Sequence, residues 1–191
     1  MGILLGIIRY ILLLLIILFG TLCIVLVGTT NWQPGGIPAA QWVATYMARA
    51  FNKVFRVQLT ITDPEALANH HGFIVSNHVT YLDIVSMLAA QPVRMLSAAE
   101  VKTRPFIGWA ASGSGAIVVA RSSMKSRRDA VLSILNSYRE RQNPPIAIFV
   151  EGRMGTGDKV FPFQLGIFKL AKREQIPYMP VAIVYDRPDI V

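Results

Sequence analysis

His78 and Asp83 stand five residues apart in Ser76-Asn77-His78-Val79-Thr80-Tyr81-Leu82-Asp83. A histidine beside a carboxylate can move a proton near neutral pH. The carboxylate accepts a hydrogen bond from one ring nitrogen, fixes the tautomer, and leaves the other nitrogen as a base. On a regular helix a spacing of five puts the two side chains on different faces. They meet if His78 sits in a turn ahead of a helix and Asp83 lies in that helix's first turns. The pair is two-thirds of a triad, and the third member can be a hydroxyl of the substrate itself. Taken alone, such a spacing is met as easily by a loop histidine and a solvated helix aspartate.

The elements that must hold these groups are legible from the apolar pattern. Segments 57–62, 73–75, 93–96, 116–119, 145–150 and 178–184 read as strands, and 81–90, 125–142 and 165–174 as helices. Their alternation predicts an α/β fold, a mainly parallel sheet flanked by helices. His78 then follows the carboxyl end of a buried strand, the edge at which such sheets gather their chemistry.

Residues 11–28 carry no charge, and at ~1.5 Å per residue they just cross ~30 Å of hydrocarbon. An N-terminal membrane helix is expected, with Arg9 reaching to the headgroups. Two rival readings are a re-entrant hairpin bending near Gly20 and a cleaved signal ending at the weak site Val27-Gly28-Thr29. A myristoylation motif fails at Gly6. Residues 31–36 read as a loop leaving the membrane, with Trp32 at the interface. Residues 41–55 read as an amphipathic helix on the membrane surface or against the domain. The organisation is thus an anchor (1–31), an interfacial helix and linker (32–56) and a domain (57–191). Arg49, Lys53 and Arg56 after the span outnumber Arg9 before it, which favours a cytoplasmic domain.

Nineteen Lys and Arg against eleven Asp and Glu give a net charge of +8, suited to anionic partners such as lipid headgroups or an acidic carrier. Cys23 is the single cysteine, so neither an intrachain disulfide nor a cysteine metal site is available. His70-His71 lacks a third ligand, and no metal or other cofactor is expected. Ser112-Gly113-Ser114-Gly115 has neither the glycine spacing of a nucleophile elbow nor the Lys-Ser/Thr of a P-loop. The basic group Arg121, Lys125, Arg127 and Arg128 comes with no nucleic-acid module, so nucleic acid is not an expected partner.

Four ordered blocks carry a resemblance. Asn77-His78-x4-Asp83 is the first. Glu100-Val101-Lys102 with Pro105, Gly108, Gly115, Ile117 and Arg121 is the second. Phe149-Val150-Glu151-Gly152, then Pro162-Phe163-x2-Gly166-x-Phe168, is the third, and Ile176-Pro177-Tyr178-Met179-Pro180-Val181 the fourth. Over residues 74–183 the chain resembles the lysophosphatidic acid acyltransferase (PlsC-like) family of glycerolipid enzymes.

The resemblance implies transfer of a fatty acyl group from acyl-CoA or acyl carrier protein to the hydroxyl of a lysophospholipid at a phospholipid membrane. It assigns His78 as general base and Asp83 as its orienting partner, with Asn77 in the same motif. Arg121 would hold the acceptor's phosphate, Gly115 would allow close approach before it, and Glu151 and Gly152 would serve acceptor binding. Lys102 is a further phosphate or carrier contact. There are departures. Val150 stands where the family usually has proline, and the Thr and then Arg that usually follow its Glu-Gly are replaced by Arg153-Met154-Gly155-Thr156-Gly157, so Arg153, one position earlier, is a candidate for the missing arginine. These changes open the acceptor to alternatives such as a lyso-ornithine lipid. The chain also ends at Val191, soon after the fourth block, which suits a short or truncated form and leaves room for a non-catalytic lipid-binding reading.

Overall fold

The computed structural model describes residues 2–119, 124–155 and 159–186, with backbone alone at 124–127. Five strands, β1 (Phe73–Ser76), β2 (Arg94–Ala98), β3 (Ile117–Val119), β4 (Ile146–Phe149) and β5 (Tyr178–Val181), form one sheet in the order β3-β2-β4-β1-β5. Every pairing is parallel. A parallel sheet is covered on both faces, which is why its central strands read as unbroken apolar runs. Phe73 and Val75 of β1 join Ile146 and Ile148 of β4 beneath α6 (Met124–Glu140) and α7 (Gly166–Glu174). Ile74 and Ala147 point the other way, to Leu67 of α3 (Pro64–Ala68) and Met87 of α4 (Tyr81–Ala90). Burying a side chain as large as the fully enclosed Phe73 contributes about 2–3 kcal/mol. Arg94, buried at the start of β2, gives its guanidinium to the carbonyls of Pro144, Ser137 and Arg141 and so ties the end of α6 to the sheet.

α1 (Gly2–Gly28) is one unbroken apolar helix of 27 residues, long enough to cross a bilayer. Only Thr21 and Ile24 are buried in it, where it meets α2 (Ala39–Phe55) and α5 (Ile107–Gly113). The bend expected near Gly20 as one alternative is not there. Gly20 serves close packing instead, since a Cβ on it would fall 2.3 Å from the sulfur of Met47 on α2. α2 buries its small and polar face (Ala40, Ala44, Thr45, Ala48), and its aromatic residues Trp42, Phe51 and Phe55 are half-buried.

Two further expectations are corrected, and three short elements were not expected. Residues 57–62 make no ladder. Arg56, in the left-handed region, ends α2 and Asp63 already caps α3, so this short link crosses between helices, with Ile61 packed on the α4 side. β5 ends at Val181, not at residue 184, because β1 runs out of paired backbone at Ser76. α3, α5 and a 3-10 turn over Ala99–Thr103 were not legible in the pattern.

Candidate active site

In a parallel sheet all the strand carboxyl ends share one edge, and β1 delivers His78 to it. Thr80 is the N-cap of α4, and Asp83 is its third residue. The threonine side chain accepts from Leu82 N–H while Asp83 reaches back to Thr80 N–H, a reciprocal cap that satisfies otherwise orphaned donors. This local chemistry swings the carboxylate out of the helix and toward the preceding turn. Asp83 Oδ2 accepts His78 Nδ1–H at 2.9 Å, Val79 N–H at 2.6 Å and Thr80 N–H at 2.9 Å. Oδ1 accepts the hydroxyl of Tyr185. The carboxylate is 0% exposed. Burial alone would raise its pKa, but the bonds from His78, Thr80, Tyr185 and Val79 outweigh burial and hold it below its ordinary 3.8.

The imidazole lies flat on Phe149 at the end of β4, 4.0 Å between ring centres and 11° between planes. With Nδ1–H given to Asp83, the neutral ring keeps its lone pair on Nε2, which takes no hydrogen-bond partner among the described residues. His78 lines a cleft of about 270 Å³ with Asn77, Val79, Glu151, Gly155, Lys159 and Val160. The loop carrying it is held by backbone as well. His78 N–H donates to Glu151 Oε1 at 3.1 Å, and its carbonyl accepts Gly155 N–H at 2.7 Å. Glu151 Oε2 accepts Phe161 N–H at 2.9 Å, so one buried carboxylate splices two loops at the cleft. Asn77 continues the β1–β5 pairing with its side chain, donating to Ile183 O at 2.9 Å and accepting Ile183 N–H at 2.8 Å.

Residues 58–184 match the family model described as Acyltransferase, well over half of the chain. The chain belongs to the acyltransferase family. Two relatives of different acceptor are equally similar to it. The lyso-ornithine lipid O-acyltransferase of Rhodobacter capsulatus is 32% identical over 126 residues, 63% of this chain and 44% of that protein. The 1-acyl-sn-glycerol-3-phosphate acyltransferase of Helicobacter pylori is 32% identical over 116 residues, 58% of this chain and 47% of that protein. The chain therefore spans about half the length of these curated relatives. The crystal structure of the 1-acyl-sn-glycerophosphate acyltransferase PlsC from Thermotoga maritima superposes with a TM-score of 0.64 at 17% identity, over 92% of this chain and 74% of that one. At that identity it shows a shared fold.

Within this acyltransferase-family fold the residues singled out from sequence separate. Asn77, His78 and Glu151 come together at the cleft, with Asp83 behind His78. Lys102 is exposed on the 3-10 turn after β2, and Gly115, at positive φ, faces Gln41 of α2; neither lines the cleft. Gly152, also at positive φ, turns the chain beside Gln164. Arg153 sits 3.5 Å above the Phe161 ring and does not line the cleft. Lys159, unremarked in the sequence, is the cation that does among the described residues. Arg121 lies outside the described residues.

Tyr185 is the residue that sequence reasoning missed. Its phenol pKa is pushed well up by burial, by its bond to Asp83 and by the carboxylate charge, so it stays a donor at working pH. The one available signal was a tyrosine just beyond the last strand. In the Tyr185→Phe variant a buried carboxylate oxygen loses its donor and the Asp83 pKa rises. We expect kcat to fall by ~10-fold with KM unchanged, about one hydrogen bond to a charged group. The acid limb of the pH–rate profile should move to higher pH, whereas a merely structural tyrosine would lower Tm without moving that limb.

Proposed function

We propose that this protein transfers a fatty acyl group from an acyl thioester, acyl-CoA or acyl carrier protein, to the free hydroxyl of 1-acyl-sn-glycerol-3-phosphate, giving phosphatidic acid. The observation that carries the reading is the His78–Asp83 pair set in a cleft within the family-matched segment. The acceptor hydroxyl loses its proton to His78 Nε2 as its oxygen attacks the thioester carbonyl. Asp83 stabilises the imidazolium that forms. The tetrahedral intermediate collapses, the carbon–sulfur bond breaks, and the imidazolium returns the proton to the departing thiolate, so no acyl-enzyme is needed. A cleft of about 270 Å³ accommodates the reacting polar ends but not two acyl chains. That fits a site at a bilayer surface with the chains left in lipid. α1 supplies the anchor, and the excess of basic residues after it favours a cytoplasmic domain.

Relatives of equal identity carry the names of phosphate-bearing and ornithine-lipid acceptors, so a lyso-ornithine lipid acceptor is the second reading. The deciding assay gives the membrane-embedded protein a labelled oleoyl donor and either acceptor. We expect label in phosphatidic acid, and expect Arg121→Ala to raise the KM for the phosphate acceptor by about 10- to 100-fold, the loss of one charge-assisted contact. Indifference to that change would remove Arg121 from the site, and faster use of lyso-ornithine lipid would replace the acceptor. Neither transfer nor donor hydrolysis would leave a lipid-binding protein on this scaffold.

A further inference from the structure

The turn between β2 and α5 is strained in a way that exposes aromatic surface. Phe106 has φ 61 and ψ −58, and Ile107 N–H bonds back to Pro105 O at 2.7 Å. That is a γ-turn of the rare positive-φ kind, costly for a bulky side chain and kept only where the surroundings impose it. Gly108 imposes it. It is buried so closely against the 3-10 turn that a Cβ would lie 2.6 Å from the carbonyl oxygens of Val101 and Lys102. The strain does not bring the apolar side chains inside. Phe106, Ile107 and Trp109 are 41%, 51% and 56% exposed, with the two rings edge to face at 5.3 Å.

Their position against α1 gives the exposure a meaning. Thr21 Oγ1 donates to Phe106 O, and Gly113 at the far end of α5 packs on Ile24. Beyond Thr21 the outward face of α1 stays apolar through Leu22, Val25 and Leu26, the last 61% exposed. Leu26 lies five residues, or ~7.5 Å, further along the helix axis than Thr21. A membrane deep enough to cover Leu26 therefore also covers the level of Phe106. Lys102 and Arg104 flank the turn, both exposed, with Glu100 the exposed acid of the same stretch.

We propose that Phe106, Ile107 and Trp109 form a second membrane contact, a wedge seated at the headgroup–acyl boundary of an anionic leaflet beside α1, with Lys102 and Arg104 on lipid phosphates. Continuity with α1 and the charge of the flanks select a lipid surface as the occupant. The inference rests on α1 lying in the membrane. Because α5 follows the carboxyl end of β2, the wedge occupies the same edge of the sheet as His78 and holds the cleft against the bilayer.

Trp32 and Trp42 replaced by phenylalanine leave Trp109 as the sole tryptophan of the full chain. Reconstituted in phosphatidylcholine–phosphatidylglycerol vesicles brominated near the headgroup end of the acyl chains, this variant should lose about half of its emission and shift to the blue, as expected ~5–10 Å into the boundary. Lys102→Glu with Arg104→Glu should restore much of that emission in the anionic vesicles. A parallel probe, Leu14→Trp in a background with all three tryptophans replaced, reports α1 in vesicles of the same lipids brominated near the methyl end of the chains, since Leu14 lies twelve residues, ~18 Å, from Leu26. Quenching of the Leu14→Trp probe beside a water-exposed, unquenched Trp109 would overturn the wedge and leave the anchor standing. Loss of quenching at both would overturn the anchor and the wedge together.

Discussion

His78→Ala is expected to lower kcat by ~10⁴-fold, the upper range for removing a positioned general base. The protein should otherwise remain intact. The loop at His78 is held through backbone, by Glu151 and by Gly155, and those bonds survive loss of the imidazole. Asp83 keeps three of its four donors, from Val79, Thr80 and Tyr185. The variant should therefore still float with lysolipid-containing vesicles while label transfer disappears. Turnover within tenfold of the parent enzyme would remove His78 from the role of base.

Asp83→Asn is the second large effect, and its cause is charge, not geometry. The side of the group facing His78 also faces the N–H groups of Val79 and Thr80, so an asparagine must present its oxygen there and its amide to Tyr185. The tyrosine hydroxyl can turn from donor to acceptor. The histidine tautomer is kept, the N-cap is kept, and only the stabilisation of the imidazolium is lost. A fall in kcat of ~10²-fold follows from losing a charge-assisted contact worth about 3 kcal/mol. Stability gives an independent check. The native Asp83 pKa is depressed, so its contribution is fully present above the ordinary 3.8 and is lost as pH falls through the lower folded value. The gap in Tm between wild type and Asp83→Asn should be constant near neutrality and close in strong acid. A gap that persists unchanged there would mean the carboxylate charge contributes nothing.

The sheet was legible because parallel strands covered on both faces announce themselves as short apolar runs, as at Ile146–Phe149. The helix at Tyr81–Ala90 was equally clear. What escaped was set by contacts distant in sequence or by a few backbone angles. The strand expected at 57–62 had the right alternation, but the short link from the end of α2 to the cap of α3 pairs with no strand of the sheet. α5 escaped because its start depends on the positive φ of Phe106 and on the fit of Gly108, which no periodicity encodes. At the site, the spacing of His78 and Asp83 allowed their meeting, and the cap at Thr80 fixed it. Glu151 was visible as a motif residue, yet its oxygens serve Phe161 and His78 backbone, a use that depends on where two loops cross. Tyr185 reaches Asp83 across 102 residues of chain, and its place just beyond the last strand did not by itself name that partner.

That long reach orders events during synthesis. α1 leaves the ribosome before the sheet and, as the proposed anchor, can enter a bilayer while the strands are still being made. β1, α4 and the histidine follow, but β1 lacks one neighbour until Tyr178–Val181 arrives, and Asn77 and Asp83 wait for Ile183 and Tyr185. A nascent chain paused before these residues would lack the Tyr185 hydroxyl on Asp83 and the Ile183 backbone on Asn77, while the contacts of His78 with Asp83, Glu151 and Gly155 could already form. With α1 as the proposed anchor, the last contacts of the site would form only after the chain had reached its lipids.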